Sequence, residues 1–221
     1  MKIKKIWDFV WYDDSFLAWF INLILAFLIV KFIIYPLLGF ALATNLPVVA
    51  VISGSMQHYS APVCIDFQDN KCVEYSKEDY RICDKQFNKK MYFSLDEYWN
   101  TCGDWYKENN ISLQSFKSFP LKNGFNKGDI IFLTGHGNIN LGDIVVFQGY
   151  SNNPIIHRVI KIKTENSKNY YTTKGDFNKD SSSDLGELNI PEEKIIGRAM
   201  FKVPFLGWIK ILFSDLMNSV F

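Results

Sequence analysis

The sequence has almost no net charge, because its 24 lysines and arginines nearly balance its 23 aspartates and glutamates. Proteins that hold nucleic acid by its phosphates need a clear basic excess, so this balance argues against nucleic acid as a partner. The four cysteines include no Cys-x-x-Cys pair, which argues against a four-thiolate zinc site. The chain also lacks internal repeats and low-complexity tracts, and its 221 residues suffice for one domain with attachments.

The chain does have many aromatic residues, 16% of the total, and one long apolar run near its start. Residues 15–39 are apolar apart from Ser15, Asn22 and Lys31, and about 20 such residues suffice to cross a bilayer. A cleaved signal peptide would have a shorter apolar core and a small-x-small cleavage site, which Ala41-Leu-Ala43 matches poorly. The run therefore predicts a retained transmembrane anchor, which Pro36 and Gly39 favour ending.

The residues on either side of the anchor predict its orientation. Lys2, Lys4 and Lys5 favour a cytoplasmic location for the N-terminal residues 1–14. The residues after the anchor are then expected outside the cytoplasm, and the chain is expected to be a single-pass protein of the cell membrane. An even number of cysteines on that side indicates two disulfides, for which three pairings are possible. The four cysteines all lie between residues 60 and 105: Cys64, Cys72, Cys83 and Cys102.

Beyond the anchor, composition divides the chain into three parts. Residues 40–57 and 125–203 contain short apolar and β-branched runs bounded by Gly, Asn or Ser, and strands so close together predict an antiparallel β domain. Residues 58–124 look like a charged, Cys-bearing insertion without strand periodicity, in which Ser76 and Ser94 each predict a helix start. The expected strands are Val48–Ile52, Asp129–Leu133, Asp143–Phe147, Ile155–Ile162, Tyr170–Thr173 and Ile195–Val203.

The C-terminal segment, residues 204–221, contains a second apolar stretch, Phe205–Phe213. It is too short to span a bilayer, and Lys210 interrupts it. The pattern predicts an amphipathic helix that lies on the membrane or docks on the anchor.

Three separate stretches could together form a hydrolytic site. Ser53-Gly-Ser55-Met56 follows an apolar strand and could present a nucleophile, although Ser-Gly-Ser is also common in plain turns. His157 lies in a strand and could be the base or a packed histidine; His58, three residues from Ser55, is the local competitor, and His136 lies between two glycines. A carboxylate that orients the imidazole completes such a site, and the segment after residue 173 supplies Asp176, Asp180 and Asp184. The spacing of these carboxylates does not match a calcium loop, so no metal or cofactor is expected.

Taken in order, these motifs resemble those of the type I signal peptidases, peptidase family S26. Ser53–Met56 is similar to the nucleophile motif of that family, Ile156-His-Arg-Val159 to its general-base motif and Lys174-Gly-Asp176 to its acidic motif. The paired Gly-Asp motifs at residues 126–129 and 141–147, and the closing segment at 197–204, follow the same order. Bacterial members place lysine where this chain has His157, so the resemblance is to the archaeal and endoplasmic-reticulum type.

The resemblance implies a role for each of these residues. Ser55 would be the nucleophile and His157 the general base, with the Ser53 hydroxyl and the Ser55 backbone N–H forming the oxyanion hole. Asp184 is the predicted triad acid, with Asp180 and Asp176 as alternates, Asp176 supporting the loop. The chain departs from the family pattern in two ways: no proline follows shortly after Met56, and position 182, where an aspartate is expected, is serine.

The predicted fold is mainly β: a small antiparallel catalytic domain after one transmembrane helix, with a helical, Cys-bearing insertion. The predicted function is removal of signal peptides from exported preproteins that have small residues before the cleavage site. The lipid bilayer and the export translocon are the other expected partners. Two alternatives stay open: a non-catalytic, membrane-tethered binding module that recognises its partner through the insertion, and a peptidase for another membrane precursor.

Overall fold

The computed structural model describes residues 2–68, 71–151 and 153–212. Among these residues, helices occur mostly near the N-terminus and in the insertion, and strands form two separate antiparallel sheets. The helices are α1 (Lys2–Tyr12), α2 (Phe16–Ile29), α3 (Tyr35–Ala41), α4 (Leu95–Glu108) and α5 (Leu113–Ser118), with a π-helical turn at Val30–Ile34 and a 3₁₀ turn at Glu192–Lys194. The strands are β1 (Val48–Ala50), β2 (Ala61–Gln68), β3 (Lys71–Ile82), β4 (Lys85–Phe87), β5 (Ile130–Thr134), β6 (Ile144–Phe147), β7 (Ile155–Glu165), β8 (Lys168–Lys174), β9 (Ile190–Pro191) and β10 (Ile195–Val203).

The predicted anchor forms one continuous helical segment, Phe16–Ala41, of 26 residues with mean hydropathy 2.5. Its length and composition are sufficient to cross a membrane, and only 6% of its most apolar window is buried within the protein. Pro36 does not end this segment, contrary to the expectation from sequence. The π-helical turn Val30–Ile34 ends two residues before Pro36, and its wider hydrogen-bonding pattern accommodates a residue that lacks an N–H.

The seven-stranded sheet carries the predicted β domain, in the order β1-β5-β10-β6-β7-β8-β9 with antiparallel neighbours. All six strands expected from the apolar runs are confirmed, with ends shifted by up to three residues. The two-residue strand β9 was not expected. Because β1 is an edge strand, one side of it faces away from the sheet.

The insertion contains a second sheet that the sequence pattern did not predict, with strand order β2-β3-β4. Ser94 begins α4 with a capping box to Glu97, as expected. Ser76 lies within β3, so the helix start predicted there is wrong; its hydroxyl instead accepts hydrogen bonds from the N–H groups of Glu78 and Asp79. The disulfides join the cysteines in sequence order: Cys64–Cys72 and Cys83–Cys102.

The two ends of the described chain contain further helix. Residues 1–14 were expected only as a polar and aromatic lead, but α1 occupies most of them, with Trp7 and Trp11 exposed. At the other end, residues 208–212 are helical, and Phe205, Ile209 and Leu212 are mostly exposed. The rest of the predicted amphipathic segment, residues 213–221, lies outside the described residues.

Candidate functional site

The Ser53–Met56 turn follows β1 at the edge of the large sheet and is held at both ends. Val51 and Met56 are buried, so the core fixes the chain on either side of the turn. The turn closes through a hydrogen bond from the N–H of Gln57 to the carbonyl of Gly54, at 3.1 Å. Ser55 is half-buried, and its hydroxyl lies 3.3 Å from that of Ser53. Two hydroxyls are thereby presented side by side.

His157 lies on β7, opposite Val145 of β6, and is only 2% exposed. Its Nδ1 hydrogen-bonds the carboxylate of Glu187, which is fully buried. A carboxylate can only accept, so Nδ1 carries a proton, and in the neutral imidazole the lone pair is on Nε2. Such a pairing orients a histidine to act as a base through Nε2.

Glu187 is itself positioned by further hydrogen bonds, among them one from its own N–H to the Ser182 carbonyl at 3.1 Å. Its carboxylate accepts from the Ser182 N–H at 2.6 Å and from the Thr173 hydroxyl at 3.4 Å. Its main-chain carbonyl accepts from the N–H of Thr173 at 3.0 Å. The loop between β8 and β9, residues 175–189, is called the acidic loop here because it carries Asp176, Asp180 and Asp184. It folds back so that Glu187, and not one of these aspartates, meets the imidazole of His157.

A single cavity of about 590 Å³ brings the serine turn and the histidine together. Gly175 marks how closely the elements approach: a Cβ atom there would stand 2.7 Å from the Ser55 carbonyl oxygen and 2.9 Å from His157 Nε2. Further parts of the wall come from β1, from the start of β7, from the loop between β8 and β9 and from the anchor. Among the lining residues are Ser53, Ser55, Val48, Ala50, Ile52, Tyr35, Pro154, Ile156, His157, Asn178 and Leu185.

The three aspartates predicted as candidates for the triad acid lie elsewhere. Asp184 is exposed and accepts a hydrogen bond from the Ser183 hydroxyl, and the exposed Asp180 accepts one from the Trp105 indole. Asp176 is fully buried and receives two hydrogen bonds from Arg158, at 2.9 and 2.7 Å. None of these contacts is with His157, so the structure departs from the predicted choice of Asp184. The carboxylate that contacts His157 is that of Glu187, which belongs to no motif recognised in the sequence.

His58, the competing candidate for the base, is sealed inside the protein. Its Nε2 lies 3.0 Å from Asp176 Oδ2, and its ring stacks on Tyr98 with a centroid distance of 3.7 Å. Burial lowers the pKa of the His58 imidazole, although its hydrogen bond to Asp176 acts in the opposite direction. His58 is therefore a neutral, packed residue that donates to Asp176. His136 lies on the surface with its Nε2 at 3.0 Å from the Ala41 carbonyl oxygen.

Two buried charged residues, Lys174 and Asp176, flank Gly175. Burial alone would raise the pKa of Asp176, but Arg158 and His58 hold that pKa well below its usual range, so Asp176 is a permanent anion. Burial lowers the pKa of Lys174 to about 8. The Lys174 ammonium lies over the rings of Trp105 and Tyr106, at 5.1 and 4.9 Å from their centroids. Within the described residues, no group of three or more His, Cys, Asp or Glu side chains is arranged to hold a metal ion.

Comparison with known proteins gives several related sequences, while no protein-family model matches the chain. The signal peptidase complex catalytic subunit SEC11 of Colletotrichum graminicola is 32% identical over 105 residues, covering 44% of this chain and 61% of the relative. The subunit of the same name from Candida tropicalis is 34% identical over 105 residues, covering 44% and 63%. That from Scheffersomyces stipitis is 33% identical over 107 residues, again covering 44% and 63%.

The matches span about three-fifths of the length of these curated relatives. Each relative is named as the catalytic subunit of a signal peptidase complex. The resemblance to signal peptidases predicted from the order of the motifs is confirmed: over 105–107 residues the chain is similar in sequence to the SEC11 catalytic subunits.

Proposed function

We propose that the chain is a membrane-anchored serine endopeptidase that removes signal peptides, with Ser55 as nucleophile, His157 as general base and Glu187 as the acid that orients it. The observation that carries this proposal is the shared cavity, which is lined by both Ser55 and His157, a histidine whose Nδ1 is held by a buried carboxylate. An unassisted serine hydroxyl is a weak nucleophile, and this arrangement supplies the assistance that it needs.

The reaction follows from these contacts. The Ser55 oxygen attacks the scissile carbonyl carbon while His157 Nε2 accepts the hydroxyl proton. The Ser53 hydroxyl and the Ser55 N–H stabilise the oxyanion of the tetrahedral intermediate. His157 then donates its proton to the departing amide nitrogen, which leaves an acyl-enzyme at Ser55. Water, deprotonated by the same imidazole, hydrolyses this ester and restores the serine.

The shape of the cavity supports an extended peptide substrate. β1 is an edge strand and forms one wall, so a preprotein segment could add to it by main-chain hydrogen bonds while alternate side chains face the cavity. The aliphatic residues of the wall, among them Val48, Ile156 and Leu185, suit small apolar side chains before the cleavage site. These features favour preproteins with Ala-x-Ala sites as substrates.

We place the cavity outside the cytoplasm at the surface of the cell membrane, where the export translocon delivers preproteins. The helical segment Phe16–Ala41 supports a membrane anchor, and the lysines that precede it support a cytoplasmic N-terminus. The two disulfides agree with a compartment outside the reducing cytoplasm.

The test is cleavage of a purified preprotein with an Ala-x-Ala site by detergent-solubilised wild type, Ser55→Ala and Ser183→Ala. Ser183 is an exposed serine of the acidic loop and serves as the matched control. We expect Ser55→Ala to lower kcat by a factor of about 10³ or more and Ser183→Ala to match wild type. Equal cleavage by wild type and Ser55→Ala would overturn the assignment. If folded wild type does not cleave, the non-catalytic binding module becomes the better hypothesis.

A further inference from the structure

The insertion is connected to the nucleophile by consecutive main-chain hydrogen bonds. The N–H of Phe177, next to Asp176 in the acidic loop, donates to the Ser55 carbonyl at 2.9 Å. The carbonyl of Phe177 in turn accepts from the N–H of Cys83, which follows β3 of the insertion, also at 2.9 Å. Phe177 therefore holds the nucleophile turn on one side and the insertion on the other.

Helix α4 of the insertion binds Asp176, which precedes Phe177, through the hydroxyls of two tyrosines. Tyr98 donates to the Asp176 main-chain carbonyl at 2.7 Å, and Tyr106 donates to Asp176 Oδ1 at 3.2 Å. Both tyrosines are fully buried, and burial raises the pKa of each hydroxyl well above its usual value, so both remain protonated donors. The position of Asp176 is therefore set by the insertion as well as by Arg158.

The Cys83–Cys102 disulfide links the two contacts just described. Tyr98, Cys102 and Tyr106 are spaced four residues apart, so they lie on one face of α4. The disulfide on that face ties α4 to Cys83, whose N–H holds Phe177. The ring of Phe177 also packs against the buried cluster around α4. Several contacts with the insertion thus hold Asp176 and Phe177 in place.

We propose that Tyr98 and Tyr106 are positioning residues for the nucleophile, acting through Asp176 and Phe177 on the main chain of Ser55. This inference rests on the proposed function, because it assigns the insertion a role in the same site. Neither tyrosine is among the residues that line the cavity, so each acts without touching substrate. A shift of the nucleophile by about 1 Å can lower the rate about 100-fold, so small displacements of residues 176–177 matter.

The experiment compares Tyr98→Phe, Tyr106→Phe and the double variant with wild type on the same preprotein. Each change removes one hydroxyl and keeps the ring that packs in the core. The matched control is Tyr75→Phe, an exposed tyrosine of β3 in the same insertion. Ser55→Ala is included to report on the proposed function itself.

We expect the double variant to lower kcat per folded molecule about 10- to 100-fold while KM stays within twofold, because the substrate wall is untouched. The plateau of the pH–rate profile should fall without a change in its shape, since His157 and Glu187 are intact. Tm should fall by only about 2–5 °C for each lost hydroxyl. Tyr75→Phe should behave as wild type.

A purely structural role for the tyrosines would have a different result. The loss would then disappear when the assay is cooled well below the Tm of the variant, or kcat per folded molecule would stay within twofold of wild type. Either result, with Ser55→Ala inactive, overturns the inference and leaves the proposed function standing. A Ser55→Ala variant as active as wild type, or a folded wild type without activity, overturns both.

Discussion

Two buried histidines, each bound to a buried carboxylate, lie in different surroundings in this protein. His157 binds Glu187 through Nδ1. Its Nε2 faces Gly175: a Cβ atom added to that glycine would lie 2.9 Å from Nε2 and 2.7 Å from the Ser55 carbonyl oxygen. His58 binds Asp176 through Nε2, and its ring lies flat against Tyr98. Only His157 lines the cavity.

Under the proposed function, this difference means that a histidine–carboxylate pair is not by itself a mark of catalysis. The carboxylate of Asp176 is shared with Arg158 and Tyr106, so it serves mainly to neutralise a buried guanidinium. Glu187 receives its other bonds from neutral donors and directs its charge at one imidazole. We infer that two features separate a general base from a structural histidine. One is the set of other partners of the carboxylate, and the other is whether the imidazole ring reaches the cavity.

The largest expected effect comes from exchanging each histidine for glutamine. His157→Gln should lower kcat about 10⁴-fold or more, because the hydroxyl proton of Ser55 loses its acceptor. His58→Gln should lower kcat less than about tenfold, because His58 acts only through packing and Asp176. Preprotein cleavage per folded molecule, with Tm measured alongside, compares the two variants. Equal losses in both would contradict the distinction between the pairs.

The second expected effect concerns the carboxylates. Glu187→Gln should lower kcat about 10³-fold with little change in Tm, because an amide no longer stabilises the imidazolium. Asp176→Asn should instead destabilise the fold by about 3–5 kcal/mol, since it leaves the Arg158 charge buried without its counterion. Thermal unfolding separates the two variants. The value of kcat per folded molecule should fall in both, but less in Asp176→Asn, because Asp176 acts on the main chain of Ser55 and not on His157.

Asp184→Asn is the control for these carboxylate variants, and it also tests the acid predicted from sequence. The side chain of Asp184 is exposed, so its variant should retain wild-type kcat within twofold. A large loss in Asp184→Asn together with a small one in Glu187→Gln would restore Asp184 as the triad acid.

The smallest expected effect is on the pH dependence of stability, through Lys174. Its pKa of about 8 in the folded protein is lower than its value in the unfolded chain, so between these values the unfolded state binds more protons. Stability should therefore rise with pH in that window, by about 1.5 kcal/mol between pH 8 and 9.5 relative to Lys174→Met. Denaturant unfolding of both proteins at several pH values measures this difference. A parallel pH dependence in the two proteins would show that Lys174 is protonated to the same extent in both states.

Much of the large sheet could be predicted because its strands are apolar or β-branched and end at Gly, Asn or Ser. β10 spans the whole predicted run Ile195–Val203. The sheet of the insertion was missed because β2 and β3 are largely exposed, so burial imposes no apolar alternation on them. The helix start predicted at Ser76 was wrong because a serine hydroxyl can make the same contacts inside a strand. There it accepts hydrogen bonds from nearby N–H groups, as it would at the start of a helix.

The site could be predicted only where local motifs define it. Ser55 and His157 lie in short motifs whose order along the chain is informative. Glu187 lies 30 residues after His157 and reaches it only because the acidic loop folds back through the Ser182 and Thr173 contacts. A preference for the aspartates of the loop was reasonable from sequence, but burial and hydrogen bonding decide which carboxylate meets the imidazole. The four-residue spacing of Tyr98, Cys102 and Tyr106 is visible in the sequence and indicates that they share one face of a helix.

Tyr35 of α3 belongs both to the helical segment Phe16–Ala41 and to the wall of the cavity that contains Ser55. A helical segment of 26 residues is about 39 Å long, whereas the hydrocarbon core of a bilayer is about 30 Å thick. In the proposed membrane setting, such an anchor adjusts to thinner or thicker bilayers by changing its tilt. Tilting the anchor moves Tyr35 and so reshapes one side of the peptide cleft. Under the proposed function, the rate of cleavage by this chain would therefore depend on the thickness of the bilayer.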